Sequence, residues 1–299
     1  MKVLVFGSAN IDHTYQLPHL VRPGETLSSR SYARSEGGKG FNQALALARA
    51  GQETCFAGAV GKDGISLRES LRAEGVDTEG LRVLEEPTGH AIIQVDAQGS
   101  NAIVLYGGAN QAITDGMIAE TLDRFMPGDY VLLQNELNGV DRIIRGAAAR
   151  GLRVALNPSP CSPEIASWPL EQVDWFLLNE IEGRDLTGRD APEEILTELL
   201  RRYPRSHAVL TLGEVGAMYG HGEERAYQPA ILAQTVDTTA AGDTFTGYFL
   251  QSVLSGKPAA VALHTAAQAA SIAVSRRGAG ASIPLSEEVR RALDLRPEP

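Results

Sequence analysis

The chain of 299 residues has little cysteine and no long apolar run. Its two cysteines, Cys55 and Cys161, stand far apart and form no CxxC pair, which favours a reducing cytoplasm. No segment approaches the roughly 20 apolar residues that a membrane helix requires. The opening MKVLVFGSANIDH has too short an apolar run for a signal peptide. We therefore expect a cytoplasmic protein without a membrane partner.

Basic charge and metal-ligand spacings are also scarce. The chain has 27 Lys and Arg against 37 Asp and Glu, a formal net charge of −10, which argues against nucleic-acid binding. Its six histidines are scattered without an HxxxH spacing, so a zinc or di-iron site has little support. An anionic ligand remains compatible with this charge, because backbone N–H groups can build a local phosphate site.

Two common nucleotide signatures are missing as well. The pattern G-x-x-x-x-G-K-[ST] occurs nowhere, which argues against a Walker-type site. No G-x-G-x-x-G follows the first strand-like run, which weakens the hypothesis of an NAD-dependent oxidoreductase. If the chain binds a nucleotide, a loop of a different sequence from these two must hold its phosphates.

What is present is an alternation of apolar strand-like runs and helical stretches, in a chain long enough for one large domain. The predicted strands are Lys2–Phe6, Thr54–Ala59, Tyr130–Gln134, Arg153–Leu156, Trp175–Leu178 and Ala208–Leu212. The predicted helices are Gly40–Ala50, Ile118–Phe125, Val140–Arg150, Pro192–Arg202 and Ala259–Ser275. This alternation indicates an α/β fold with a mostly parallel sheet and helices on both faces.

Two stretches interrupt the alternation. Asp12–Ser35 is polar and turn-rich, and Thr88–Tyr106 holds two short strand-like runs around the turn residues 97–100. Both are typical of antiparallel ribbons, which together could form a small sheet beside the main domain. At the other end, Arg296–Pro299 is expected to be frayed.

The most informative segment is Asp237–Phe249, DTTAAGDTFTGYF. Small residues precede an amphipathic helical run, so the N–H groups of Ala240, Ala241 and Gly242 are expected to lie free at a helix N-terminus, where a phosphoryl group can bind. Asp243 in the same turn could take a proton from an attacking hydroxyl. From local chemistry alone, Asp243 could equally be a helix cap.

A second glycine cluster, EGGKGFNQ, opens the first long helix. Its three glycines allow a ligand to approach the backbone, and Lys39 and Asn42 offer polar contacts to hydroxyls. A plain strand-to-helix turn is the alternative.

Polar residues also follow several strands. Asn10 and Asp12, two residues apart after the first strand, would project to the same side and suit a vicinal diol, although an Asx turn is the alternative. Glu136 follows another strand and could be an exposed loop acid. Glu182, three residues after Asn179, could orient Mg²⁺ through water or simply begin a helix. The turn in Leu210–Gly216, LTLGEVG, could hold a nucleotide.

Taken in order, GSANID, EGGKGFNQ, NEIE, LTLGEVG and DTTAAGDTF resemble the ribokinase branch of the PfkB sugar and nucleoside kinases, from Val3 to about Pro284. The resemblance implies a three-layer α/β/α sandwich with a small β-sheet lid. It implies a main domain of residues 1–11, 36–87 and 107–299, and a lid of residues 12–35 and 88–106. It also implies a homodimer formed through the lids.

The resemblance assigns roles residue by residue. Asp243 corresponds to the general base, and Ala240, Ala241 and Gly242 to the anion hole. The positions that hold the sugar are Asn10, Asp12, Gly38, Lys39, Asn42 and Glu136, with Asp243. Those for ATP are Asn179, Thr211, Gly213, Gly216 and Gly242, with Glu182 for Mg²⁺, through water. Potassium, a further implied cofactor, corresponds to Asp237, Thr239, Ala273, Arg276, Gly278 and Ser282.

The implied activity is transfer of a phosphoryl group from ATP to the terminal 5-hydroxyl of a pentose, with ribose the first substrate to test. Phe41, where an alanine is common, was expected to add bulk near the sugar helix, and the stretch 265–268 offers no base-reading side chain. Another sugar or a nucleoside is the alternative acceptor. A phosphosugar is also a possible acceptor, because Arg22, Arg30 and Arg34 in the lid could bind its phosphate. A non-catalytic sugar sensor is a further alternative.

Overall fold

Strands and helices alternate along residues 1–295, which the computed structural model describes; Arg296–Pro299, expected to be frayed, lie outside the described residues. The strands are β1 Val3–Phe6, β2 Asn10–Gln16, β3 Ser31–Gly37, β4 Thr54–Gly61, β5 Asp77–Leu84, β6 Gly89–Val95, β7 Asn101–Tyr106, β8 Tyr130–Gln134, β9 Arg153–Asn157, β10 Trp175–Asn179, β11 His207–Thr211, β12 Gly216–His221 and β13 Glu224–Pro229. The helices are α1 Lys39–Arg49, α2 Ile65–Ala73, α3 Asp115–Leu122, α4 Val140–Ala149, α5 Glu180–Thr187, α6 Pro192–Arg202, α7 Ala241–Leu254, α8 Ala259–Val274 and α9 Ser286–Asp294.

Nine of these strands form one sheet in the order β13-β12-β11-β10-β9-β8-β1-β4-β5. The seven strands from β11 to β5 pair in parallel, and β12 and β13 add an antiparallel edge. The parallel strands inside the sheet are almost fully buried, as expected when helices cover both faces, whereas the edge strand β5 is only partly buried.

Two apolar clusters lie on the two faces of this sheet. Alternate residues of β1 divide between them: Val3 and Val5 pack with α1, α7 and α8, whereas Leu4 and Phe6 pack with α3, α4 and α6. The predicted three-layer α/β/α fold is therefore confirmed.

The two interrupting stretches form the second, four-stranded sheet, in the order β3-β2-β6-β7. The pairs β2–β3 and β6–β7 are antiparallel, as the sequence predicts. A parallel pairing of β2 with β6, in which Asn10 is the partner of Gly89, joins the two ribbons. The small sheet therefore combines segments that are distant in the chain, and its strands reach Asn10 and Gly37.

Several element bounds differ from the sequence-based expectations. Helix α3 begins and ends earlier than the predicted range. Its earlier start is explained by Thr114, which caps it, the hydroxyl accepting from the N–H of Met117 at 3.2 Å. The hairpin β12–β13 was not predicted, since its outer strand is mostly exposed and carries no apolar alternation. Asn10 and Asp12 do not close the first strand but open the separate strand β2, after a break at Gly7–Ala9.

Within residues 1–295, no helix combines the length and the apolar character needed to cross a bilayer.

Candidate active site

Asp243 lies in the first turn of α7, near the carboxyl ends of the parallel strands, and is almost completely buried. Its Oδ2 accepts a hydrogen bond from Nδ2 of Asn42 at 3.0 Å, and its Oδ1 accepts one from Nε2 of Gln43 at 2.9 Å. Neither bond is to the backbone of α7, whose N-cap is Ala240. The interpretation of Asp243 as a helix cap is therefore wrong.

The N-terminus of α7 presents free donors beside that carboxylate. Ala240 has a left-handed backbone with φ 61°, and no side chain caps the helix. The N–H of Ala241 donates to the carbonyl of Thr238 at 3.2 Å. The prediction of a free N–H is therefore wrong for Ala241, whereas the N–H groups of Ala240, Gly242 and Asp243 have no acceptor among residues 1–295. These three free N–H groups and the positive end of the helix dipole suit an anionic group.

The glycines before and within α1 are required by close backbone contact. Gly38, the N-cap of α1, has φ 95°, and a Cβ on Gly40 would lie 2.6 Å from Cα of Gly7. The start of α1 therefore sits directly against the end of β1, which brings Lys39 and Asn42 to the site. Phe41 corrects one expectation: it packs into the apolar core, 1% exposed, and adds no bulk at the site.

Asn10 and Asp12 project to the same side of β2. Oδ1 of Asn10 accepts from Nδ2 of Asn110 at 2.7 Å, so Asn10 makes a long-range side-chain contact rather than an Asx turn. Asp12 lies against Gly37 and has no hydrogen-bond partner among the described residues. Burial, and then the negative charge of Glu136, raise the pKa of Asp12 to about 6.

Glu136 is held from two sides. Its Oε2 accepts from the hydroxyl of Ser8 and from the N–H of Lys39, the latter at 3.1 Å. Burial raises the pKa of Glu136, and the two hydrogen bonds offset part of that effect. The alternative of an exposed loop acid is therefore wrong, and Ser8 is a member of the site that the sequence analysis missed.

Two connected cavities lie on either side of the α7 N-terminus. A cavity of about 210 Å³ adjoins Asp243 and is polar; its lining includes Lys39, Asn157, Ser159, Asn179, Glu182, Thr211, Thr238, Ala240, Gly242 and Asp243. A larger cavity of about 510 Å³ is mostly apolar; its lining includes Gly213, Glu214, Gly216, Ile231, Leu232, Ala241, Phe245, Ala267, Ala270 and Val274. Thr211, Thr238, Gly242 and Phe245 line both.

Asn179 and Glu182 form a capping box at the start of α5. Oδ1 of Asn179 accepts from the N–H of Glu182 at 2.9 Å, and Oε2 of Glu182 accepts from the N–H of Asn179 at 3.0 Å. Nδ2 of Asn179 donates to Oε1 of Glu182 at 3.0 Å. Glu182 therefore does start a helix, and it also lines the polar cavity.

The segments assigned to a monovalent cation meet beside the α7 N-terminus. Oδ1 of Asp237 accepts from the N–H and hydroxyl of Thr239 at 2.9 and 2.6 Å, and its Oδ2 accepts from the N–H of Gly278 at 2.9 Å. Burial opposes ionisation, but these bonds outweigh it and lower the pKa of Asp237. Among residues 1–295 no cluster of three His, Cys, Asp or Glu side chains forms a metal site.

The remaining assigned positions lie at the C-terminal end of α8 and in the loop that follows it. The carbonyl of Ala273 accepts from the N–H of Arg276 at 3.0 Å, and the side chain of Arg276 pairs with Glu288. Ser282 is buried, and its hydroxyl donates to the carbonyl of Ala279 at 2.8 Å.

A network of buried and partly buried amides reaches Asp243 from the sheet. Gln43, Gln134 and Asn157 are linked by hydrogen bonds at the ends of α1, β8 and β9. Sequence analysis did not single them out, because the ends of β8 and β9 become neighbours only in the folded sheet. The one available signal was the position of Gln43 directly after Asn42.

This arrangement places a carboxylate, free N–H donors and a polar cavity where a phosphoryl group and a hydroxyl can meet. The model of the family described as pfkB family carbohydrate kinase matches residues 1–285. A ribokinase of Haemophilus influenzae is 33% identical, with 97% of each chain covered. The chain therefore belongs to the pfkB family of carbohydrate kinases.

Solved structures agree with that assignment. A ribokinase from Cryptococcus neoformans in complex with ADP has a TM-score of 0.85 and 35% identity, covering 98% of this chain and 99% of that one. An Arabidopsis thaliana ribokinase complexed with ribose and ATP has a TM-score of 0.84 and 32% identity, covering 97% and 98%. The predicted resemblance to the ribokinase branch is confirmed.

Proposed function

We propose that the protein transfers the γ-phosphoryl group of ATP to the terminal 5-hydroxyl of a pentose, with ribose as the preferred acceptor. The observation that carries this proposal is the place of Asp243, which adjoins the free N–H groups of α7 at the junction of the polar and apolar cavities. The similar ribokinases support ribose as the first acceptor to test.

In this reaction the carboxylate of Asp243 takes the proton of the acceptor hydroxyl. The hydroxyl oxygen forms a bond to the γ-phosphorus, while the bond from that phosphorus to the bridging oxygen breaks and ADP leaves. Of the assigned anion hole, the free N–H groups of Ala240 and Gly242 would stabilise the charge on the transferring phosphoryl group, joined by the N–H of Asp243. The N–H of Ala241 is bonded to Thr238. Most of the catalysis is thus positioning and electrostatics.

The sugar would be held between β2 and α1. An ionised Asp12, free of other partners, can accept from two neighbouring hydroxyls. The resemblance assigns Asn10, Gly38, Lys39, Asn42 and Glu136 to the same sugar. The carboxylate of Glu136 interacts electrostatically with those of Asp12 and Asp243, and this concentration of negative charge would disfavour a phosphosugar because it would repel a second phosphate.

The nucleotide would occupy the larger cavity. Its apolar walls suit a base, and Thr211, Gly213 and Gly216 form the turn beside it. The side chains of Glu214, Thr235 and Ser271 also line this cavity and could contact the base or the ribose of the nucleotide.

The residues present fit both cations. Each oxygen of Glu182 accepts from Asn179 and keeps a lone pair for a water molecule, so Glu182 and Asn179 would hold hydrated Mg²⁺ near the phosphates. Carbonyl groups of Thr239, Ala273, Arg276 and Gly278, with Asp237 and Ser282, would hold K⁺. Magnesium supplies charge stabilisation during phosphoryl transfer.

A homodimer through the small sheet is part of the proposal, with that sheet as a lid over the sugar. The edge strand β7 exposes apolar side chains on both of its faces: Ile103 is 53%, Val104 62% and Leu105 57% exposed. Such a cluster is typical of an interface.

The test is ADP formation from ATP across a panel of pentoses, other sugars and nucleosides, with Mg²⁺ and with or without K⁺. We expect turnover with ribose, slower without K⁺. Asp243→Asn should lower kcat by about 10²- to 10⁴-fold, the usual contribution of a general base, with little change in sugar binding. Asp141→Asn, on the helix α4 at the other face of the sheet, is the control. Absence of turnover with every acceptor would favour a non-catalytic sugar sensor.

A further inference from the structure

The carboxamide of Gln43 is the centre of a directed hydrogen-bond network. Its Nε2 donates to Oδ1 of Asp243 at 2.9 Å and to Oδ1 of Asn157 at 3.0 Å. Its Oε1 accepts from Nε2 of Gln134 at 2.7 Å. Both N–H groups of this carboxamide therefore donate to oxygens, and its oxygen accepts one hydrogen bond.

The direction of this carboxamide matters because Asp243, when ionised, can only accept. If the group rotated by half a turn, the carbonyl oxygen of Gln43 would face the carboxylate and repel it. The neighbouring groups prevent this rotation. Nδ2 of Asn157 donates to the carbonyl of Leu177 at 2.7 Å, which leaves Oδ1 of Asn157 facing Gln43 as an acceptor.

Gln134 supplies the matching donor on the other side. It is the last residue of β8, is completely buried, and is paired in register with Asn157. Its Oε1 lies against Gly7, where no larger residue would fit, and has no hydrogen-bond partner among residues 1–295. A buried acceptor without a partner destabilises a fold, so an apolar side chain would be preferred here if packing alone decided. The hydrogen bond that Nε2 of Gln134 donates to Gln43 thus explains why an amide stands at this position.

We propose that Gln43 and Gln134 are positioning residues for phosphoryl transfer: Gln134 fixes the direction of the Gln43 carboxamide, whose N–H holds the Asp243 carboxylate in place. This proposal rests on the proposed role of Asp243 as the base. Asn42 holds the second carboxylate oxygen, so Gln43 and Asn42 together fix both oxygens of Asp243. Each of these oxygens keeps a lone pair that can accept the proton of the sugar hydroxyl.

The test compares two substitutions of nearly equal size at Gln134. In Gln134→Glu the new carboxyl can donate to Gln43 only while protonated; once ionised, at high pH because burial raises its pKa, it attracts the N–H group of Gln43 and turns the Gln43 oxygen towards Asp243. The kcat values are therefore compared at the alkaline end of the pH profile. In Gln134→Met the donor is lost without that attraction. We expect kcat to fall about 10- to 100-fold in Gln134→Glu, the size of one hydrogen bond to a charged group, and less in Gln134→Met. The acidic limb of the kcat–pH profile should move to higher pH in Gln134→Glu, while KM for the sugar changes little.

A double substitution tests whether Gln134 affects kcat only through Gln43. Gln43→Met should lower kcat about as much as Gln134→Glu, and Gln43→Met combined with Gln134→Glu should lower it no further, because Gln134 acts only through Gln43. Gln268→Met is the matched control: it removes another buried amide, whose Nε2 donates to Ser271 at 3.0 Å, and should leave kcat at saturating ATP unchanged.

Each outcome bears on the proposal. If both substitutions at Gln134 lower kcat equally and in proportion to a loss of thermal stability, the role is only structural and the proposal is wrong. Additive losses in the double variant would also overturn it. If Asp243→Asn itself keeps full kcat, the proposed function fails first; if Asp243→Asn is inactive and Gln43→Met is not, this inference alone fails.

Discussion

At the scale of single residues, Asp12 shows a conflict between stability and binding. Its carboxyl is partly buried without a hydrogen-bond partner, and its pKa of about 6 lies above the ordinary value of 3.8. The folded state therefore binds a proton that the unfolded state has lost, so folding stability decreases as pH rises from about 4 to about 6 and then stays lower. In the proposed function, this charge is kept because it binds the hydroxyls of the sugar.

Asp12→Asn is expected to raise the free energy of unfolding at pH 8 by on the order of 1–3 kcal/mol, because the amide is never charged. The difference from wild type should vanish near pH 4. The same substitution should raise the KM for the sugar, and in wild type this KM should fall between pH 5 and pH 7 as Asp12 ionises. Denaturant unfolding and steady-state kinetics at several pH values measure both effects. A lower stability of Asp12→Asn at pH 8 would contradict the assigned burial cost.

The residues of the site differ in how far sequence could identify them. Asp243, Asn42 and Asp12 stand in motifs whose order is specific, and the structure brings them to one place. Ser8, Asn110, Gln134 and Asn157 are polar residues at strand ends or in turns, without a local signature. Their roles arise from strand register and from contacts between segments far apart in the chain, which a linear pattern does not contain.

At the scale of elements, the start of α7 combines a free N-terminus with local strain. Ala240 adopts φ 61°, a region that costs a residue with a Cβ about 1–2 kcal/mol. It is the only non-glycine residue with positive φ within residues 1–295. The strained turn directs the first N–H groups of α7 towards the polar cavity.

Ala240→Gly should therefore raise the free energy of unfolding by about 0.5–1 kcal/mol, since the relieved strain exceeds the added entropy of the unfolded chain. Ala149→Gly, in the exposed last turn of α4 with ordinary helical geometry, should lower it instead. Thermal and denaturant unfolding of the two variants decides the comparison. Equal destabilisation by both would show that Ala240 is not strained.

Element types were more predictable than element ends. The buried strands of the large sheet and the long helices have strong periodicity, and the structure confirms them. The start of α3 depends on a threonine cap, and the β12–β13 hairpin depends on edge strands with a weak apolar pattern. Such features are decided by single hydrogen bonds and by neighbours in space.

At the scale of the whole molecule, the exposed apolar residues of β7 predict the oligomeric state. If the small sheets of two chains pair, Val104→Glu should produce a monomer, because it places a charge within that interface. Met126→Glu is the control, since Met126 is 70% exposed on the main body. Sedimentation velocity distinguishes the two states. A wild-type monomer at micromolar concentration would overturn the proposed dimer.

The parallel pairing of β2 with β6 also has a consequence for the order in which the chain folds. During synthesis, β2 and β3 emerge early and can form only a two-stranded ribbon, which is marginally stable by itself. Their third strand emerges after α1, β4, α2 and β5 have left the ribosome. The strand that carries Asn10 and Asp12 must therefore wait with an open edge until Gly89–Val95 has been synthesised. The part of the site proposed to bind the sugar thus forms after the first part of the large sheet.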